Sequence, residues 1–235
     1  MDKKFILGVC IIVSLFIFAS CLDDDEKEYT VDAYISTQLV DGDTLYALDC
    51  YIYSYNAPIS SAVMKDPGKT YSVDLSGLGS AGFYFEHATS FDSYSTTKPA
   101  SGEYLFTMNF TDGTSETEYD EVSNTLIMPT YIEEIVPDSD NHTLTVTWAE
   151  KSDADYYNIL LFRSDTIVYA SGLINNVYKA AVIYPNTNYW NSGYSPVAGD
   201  TIEVMISCIV GGSDNRRYYK SQSISRSQKV SAVWP

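Results

Sequence analysis

The sequence predicts an all-β fold built as two successive β-sandwiches, and three observations carry that expectation. From residue 31 onward, apolar and polar residues alternate with a period of two in one segment after another. Gly, Pro, Asn, Asp and Ser bound those segments. No stretch after residue 30 keeps the 3.6-residue apolar period of an amphipathic helix. The 21 tyrosines and an aromatic content of 14% suit half-buried strands and exclude a disordered chain.

The alternation predicts strands over 31–38, 44–55, 70–76, 82–87, 102–111 and 117–122. Beyond Pro129 it predicts them over 131–136, 143–149, 156–163, 166–170, 177–184, 200–210 and 217–230. Residues 123–130, SNTLIMPT, read as a hinge, because Pro129 has no N–H to give to a ladder. The body therefore divides into 31–128 and 129–235. In the first part, Tyr46, Leu48, Cys50 and Ile52 make one apolar face, and Tyr104, Phe106, Met108 and Phe110 make another.

In the second part, Leu144, Val146 and Trp148 form one inward row, and Ile202, Val204, Ile206 and Cys208 form another. With Tyr156-Tyr157 opening the next strand, this half resembles a fibronectin type III module. The first half resembles an immunoglobulin-like sandwich by pattern alone. The resemblance implies a structural core of Leu144, Val146, Trp148 and Tyr156, with Tyr157 the other candidate to meet the tryptophan. Many such modules close a corner with a Tyr where this chain has Ile202, so here the corner needs another fastening. Cys50 and Cys208 sit in alternating runs and read as small buried hydrophobes in separate domains.

Residues 1–20 combine Lys3 and Lys4 with an apolar run from Phe5 to Ala19, the layout of a secretory signal. As a helix the run spans roughly 24 Å, short of the ~30 Å hydrocarbon core. Phe18-Ala19-Ser20-Cys21 resembles a bacterial lipobox, which implies cleavage before Cys21 and acylation of its thiol. The run Asp23-Asp24-Asp25-Glu26-Lys27-Glu28 then reads as a solvated tether over 21–30. It also resembles the acidic export tag of surface lipoproteins. The expected address is the outer membrane, by a lipid anchor, with the body at the cell surface.

A net charge of −17 repels nucleic acid and anionic lipid. Only two histidines occur, His87 and His142, which leaves little for a zinc site or for His-based acid–base catalysis. Gly77, Gly79 and Gly82 fit G-x-G-x-x-G, but strand-like Phe83-Tyr84-Phe85 follows where a phosphate-binding helix would be needed. Asp138, Asp140 and Asn141 are oxygen-rich without a matching ligand set elsewhere. No catalytic residue, metal or cofactor is expected. Asp43-Thr44-Leu45, Asp165-Thr166-Ile167 and Asp200-Thr201-Ile202 resemble a short O-glycan acceptor motif.

Two aromatic groups are the candidate ligand contacts. If Leu48, Cys50 and Ile52 face inward, Tyr51, Tyr53 and Tyr55 all face outward. Such a row is a stacking platform for sugar rings, or else a stripe covered by the neighbouring domain, or simple cross-strand Tyr packing. Tyr189, Trp190 and Tyr194 lie in the turn-rich run PNTNYWNSGYSP. They are contact residues on an exposed loop, or a loop folded back on its own sandwich. The expected function is a non-enzymatic surface lipoprotein that binds a polysaccharide or a protein. The alternatives are an accessory subunit of an outer-membrane complex and, less favoured, a glycan hydrolase.

Overall fold

The computed structural model describes residues 26–79, 81–124, 126–191, 193–211 and 221–235. Cys21, the signal run and the start of the acidic stretch lie outside the described residues, as does the segment 212–220.

The first half holds β1 (Tyr29–Val40), β2 (Asp43–Ser54), β3 (Ile59–Lys65), β4 (Ser72–Gly77), β5 (Tyr84–His87), β6 (Gly102–Phe110) and β7 (Ser115–Val122). The second holds β8 (Ile132–Asp138), β9 (Thr143–Trp148), β10 (Tyr156–Arg163), β11 (Thr166–Ala170), β12 (Ile174–Asn175) and β13 (Ala180–Ile183). It ends with β14 (Thr201–Gly211), β15 (Ser221–Arg226) and β16 (Val230–Val233). Among the described residues there is no α-helix.

Both halves repeat one plan. In the first, β1-β2-β5 faces β4-β3-β6-β7, and β4 bridges to β5 through Ser76 and Gly77. In the second, β8-β9-β13 faces β11-β10-β14, with β15 and β16 both paired to β14. Each half has its own apolar core. One gathers Val31, Ile35, Ile52, Met64, Phe106 and Met108. The other gathers Leu144, Val146, Trp148, Ile159, Val204 and Trp234. This is the immunoglobulin-like and fibronectin type III-like sandwich used twice.

The pattern reading misses β3, the strand that joins β4 to β6. A bulge between Ile59 and Ser61 breaks its beat, so Ile59, Ala62 and Met64 are all buried although the first step between them is three residues. The expected strand over 217–230 is two strands, interrupted at Ser227-Gln228-Lys229. The tether is shorter than 21–30. Tyr29 already opens β1, and Lys27 pairs with Asp112 at 3.0 Å over the Phe110 ring. Leu144, Val146 and Trp148 are fully buried, but the tyrosine that meets Trp148 is Tyr157, with ring centroids 5.3 Å apart. Tyr156 has the opposite parity on β10 and stays part-exposed. Both thiols are free and buried. Burial pushes Cys50 up to about 12 and Cys208 up to about 11, so neither is a ready nucleophile. Gly82 is required where it stands, since a Cβ there, at φ +70°, would come within 2.7 Å of the Ile59 carbonyl.

The halves do not hang on a free hinge. β1 and β15 pair in parallel, Ile35 with Ser223 through Gln38 with Arg226, so one sheet runs through both sandwiches. Below that ladder, the same edge of β1 is closed by Asp120 of β7, whose Oδ2 accepts the Ala33 N–H at 2.8 Å. Asp32, fully buried, accepts the Ser221 N–H at 2.8 Å. Phe91 meets Phe162 edge-on at 5.7 Å, and the Arg226 guanidinium lies 5.3 Å from the Phe91 ring centre. Replacing Asp120 by Ala leaves the Ala33 N–H buried without its carboxylate. The expected cost is about 1–3 kcal/mol, read as a lower urea midpoint at unchanged slope.

Candidate binding surface

Core packing of Cys50 and Ile52 turns Tyr51 and Tyr53 to the opposite face of β2. β5 lies alongside, with Tyr84 across from Tyr53 and Glu86 across from Tyr51. The rings form one patch. Tyr51 stacks on Tyr84 at 5.9 Å and 24°, Tyr84 is 6.4 Å from Tyr53, and Tyr53 meets Tyr55 edge-on at 5.0 Å. The three tyrosines expected to share this face do so, and all are part-buried. Tyr84, missed in the sequence, joins them because cross-strand pairing brings it over from β5.

The hydroxyls are committed. The Tyr84 hydroxyl donates to Glu86 Oε2 at 3.0 Å, and Tyr55 Oη lies 3.1 Å from Thr30 Oγ1. Burial, and then the Asp32 carboxylate to which Tyr51 bonds, raises the Tyr51 phenol above its ordinary value. Tyr51 therefore stays neutral and presents a π-face rather than charge.

The second aromatic group behaves differently. Segment 189–191 lies along the outer edge of β11. Ala170 N–H donates to Tyr189 C=O at 3.2 Å, and Asn191 N–H donates to Val168 C=O at 2.9 Å. Trp190 packs against Tyr169 at 4.8 Å and Trp234 at 5.4 Å, and its indole N–H donates to the Tyr184 carbonyl at 2.9 Å. Trp190 is thus a wall of the second core, and of the two readings for this loop the folded-back one describes it. Only Tyr189 of the three stays largely open, at 46% exposure. Tyr194 supplies the missing corner. Its hydroxyl donates to Asp200 Oδ2 at 3.0 Å, while Gly199 N–H bonds Trp234 C=O and Trp234 N–H bonds Asp200 C=O.

A third feature had no sequence signal. A shallow cleft of about 350 Å³ opens in the first half, with Tyr46, Asp66, Tyr71, His87, Thr89 and Lys98 on its walls. Those residues are scattered over some fifty positions and meet only in the fold. Asp66 is turned onto the Tyr71 N–H at 2.7 Å, which holds its carboxyl below the ordinary range. Asp112 and Asp138 are likewise spent on their own turns, on Thr114 and Asn141. Among the described residues no three His, Cys, Asp or Glu side chains cluster as metal ligands.

No family model and no curated protein matches the chain. Solved structures with similar outlines include the chicken CNTN1 FN1-FN3 domains, 12% identical with a TM-score of 0.33, covering 79% of this chain and 62% of that one. A two-domain fibronectin type III segment from chicken tenascin is 13% identical with a TM-score of 0.31, covering 88% and 96%. A beta-1,2-glucanase from Parabacteroides distasonis is 11% identical with a TM-score of 0.33, covering 89% of this chain and 37% of its own. Scores this low place no residue of this chain on a residue of theirs.

Two outcomes follow from the packing. Trp190→Ala should cost about 3–5 kcal/mol in urea unfolding, whereas Tyr189→Ala should stay within about 0.5 kcal/mol. The Asp200 carboxyl is held below its ordinary 3.8 by the Val197 N–H, the Tyr194 hydroxyl and Arg163. A depressed carboxyl stabilises the fold fully above the unfolded value and loses that contribution as pH falls through the folded one. Asp200→Asn should therefore lower the melting midpoint at neutral pH, and the gap should close as the medium is taken below pH 3.8.

Proposed function

We propose that the chain is a non-enzymatic binding protein, carried on the outer membrane by an acylated Cys21 with its body at the cell surface. Its ligands are glycans or protein segments that dock on part-exposed tyrosine rings. The observation that carries this reading is the patch of Tyr51, Tyr53, Tyr55 and Tyr84 on the outer face of β2 and β5. A pyranose presents a flat C–H face, and a ring with a negative π-face attracts it. Glu86 beside the patch supplies an acceptor for sugar hydroxyls. The net charge of −17 disfavours anionic polysaccharides and selects neutral ones. The cleft between Tyr46 and Tyr71 is a second docking place on the same sandwich.

A second reading, an accessory subunit of an outer-membrane complex, draws on the exposed apolar side chains Val136, Val182 and Tyr184 of the β8-β9-β13 sheet.

Affinity electrophoresis through gels of neutral xylan, β-glucan and mannan tests the first reading on the soluble chain without residues 1–21. Retardation should weaken at least about tenfold in Tyr53→Ala and Tyr84→Ala while the melting midpoint holds. Retardation that survives the double variant, or reducing ends released by the pure protein, would overturn it. Fatty acid fed to cells should label the wild-type chain and leave Cys21→Ala unlabelled.

A further inference from the structure

The ends of the sheets are defended in different ways, and one is left open over its middle residues. β7 carries Glu116, Glu118 and Glu121. β11 is covered by segment 189–191. β8 carries Glu133, Glu134 and Pro137. Charge, cover and proline are the usual guards against edge-to-edge pairing. β13 ends its sheet and, among the described residues, pairs only with β9; the Trp190 indole caps the Tyr184 carbonyl just past its end, but Ala180 to Ile183 have no charge, proline or cover along the outer edge.

Its register shows which backbone groups are open. Trp148 N–H donates to Lys179 C=O at 3.0 Å in the line of the β9–β13 ladder. Odd-numbered residues of β13 therefore bond β9, and even-numbered ones turn their N–H and C=O outward. Among the described residues, nothing bonds those groups on Ala180 or Val182. The even side chains also lie on the solvent face: Tyr178 is 59% exposed, Val182 44% and Tyr184 53%. Ile183, of the other parity, is buried in the core.

The outward row of this edge is alike at its two ends. Residues 178–184 read YKAAVIY, with Tyr at both ends of the outward row and Ala and Val between. Two antiparallel copies centred on Ala181 put Tyr178 beside the other copy's Tyr184 and Ala180 beside its Val182. The open groups of Ala180 and Val182 then exchange four hydrogen bonds about a two-fold axis. Repulsion between two chains of this charge is eased here, since no acidic residue occurs between Asp165 and Asp200 and nearby Glu150 is paired with Lys179. We propose that β13 is a homodimer edge, on which a second copy of this chain adds its own β13 in antiparallel register to make one six-stranded sheet. The proposal stands apart from the ligand reading, because the tyrosine patch lies on the other sandwich.

Cysteine crosslinking on the full chain in its native envelope reads the register. Ala181→Cys places two thiols on opposed, non-hydrogen-bonded positions about 4.5 Å apart at Cα, within disulfide range. Val182→Cys puts its two copies about 8 Å apart, beyond that range. The expected result is a band of twice the chain mass on a non-reducing gel for Ala181→Cys, and at least tenfold less for Val182→Cys. Adding Val182→Lys to Ala181→Cys should abolish the band, and Val182→Lys alone should sediment as a monomer where the wild type shows dimer. Lys at this exposed site leaves the core untouched, so an unchanged melting midpoint separates lost pairing from lost folding. Equal bands at 181 and 182, no band at 181 in a folded chain, or a complex with a different polypeptide in place of the doubled mass would overturn the proposal.

Discussion

β1 has no free side. One edge is laddered to β2 over its whole length, and the other is closed first by the Asp120 carboxylate and then by β15. Its inward face gives Val31, Ala33 and Ile35 to the first core. Its outward face is polar and yet buried, with Asp32 and Ser36 both shut off from water. A buried carboxylate is tolerable only when donors surround it. Asp32 has the Ser221 N–H, and neighbouring Asp49 has the Ser36 hydroxyl at 2.5 Å and the Thr89 N–H at 2.7 Å. Those bonds demand one geometry. A slip of β15 along β1 would take the Ser221 N–H away from Asp32, so the seam specifies register as well as contact.

The seam joins the two sandwiches through one sheet, and it reaches the tyrosine patch. Tyr51 is bonded to Asp32, and Asp32 to β15, so the platform on the first sandwich is braced from the second. Pre-set rings lose little freedom when a ligand stacks on them, which favours binding by a shallow surface. The same economy of edges shapes the second sandwich. Trp190 is spent on covering β11, and Tyr194 on the Asp200 corner. Aromatic residues in a polar loop can thus be structural, and the apolar edge of β13 stands out because, among the described residues, nothing similar covers Ala180 or Val182.

Much of the fold was legible because alternation survives wherever a strand is straight and one face meets a core. Leu144, Val146 and Trp148 could be read as inward from their spacing alone, and so could Cys50 and Ile52. β3 could not, because the bulge at Ile59–Ser61 shifts parity in mid-strand. The choice between Tyr156 and Tyr157 hung on the phase of β10, which two adjacent tyrosines hide. Of the candidate contacts, Tyr51, Tyr53 and Tyr55 could be placed on one face, whereas Tyr84 and the Tyr46–Tyr71 cleft depend on pairing between distant segments.

The linear sequence by itself determined the all-β class, the two apolar cores and the acidic, histidine-poor surface, because side-chain period and composition are local properties. Only the tertiary structure decided that the two sandwiches share a sheet, that Trp190 faces inward and that β13 keeps an open edge. Those outcomes turn on which backbone N–H and C=O groups find partners across tens of residues, and a hydrogen-bond ladder leaves no mark in the order of residues until the strands have met.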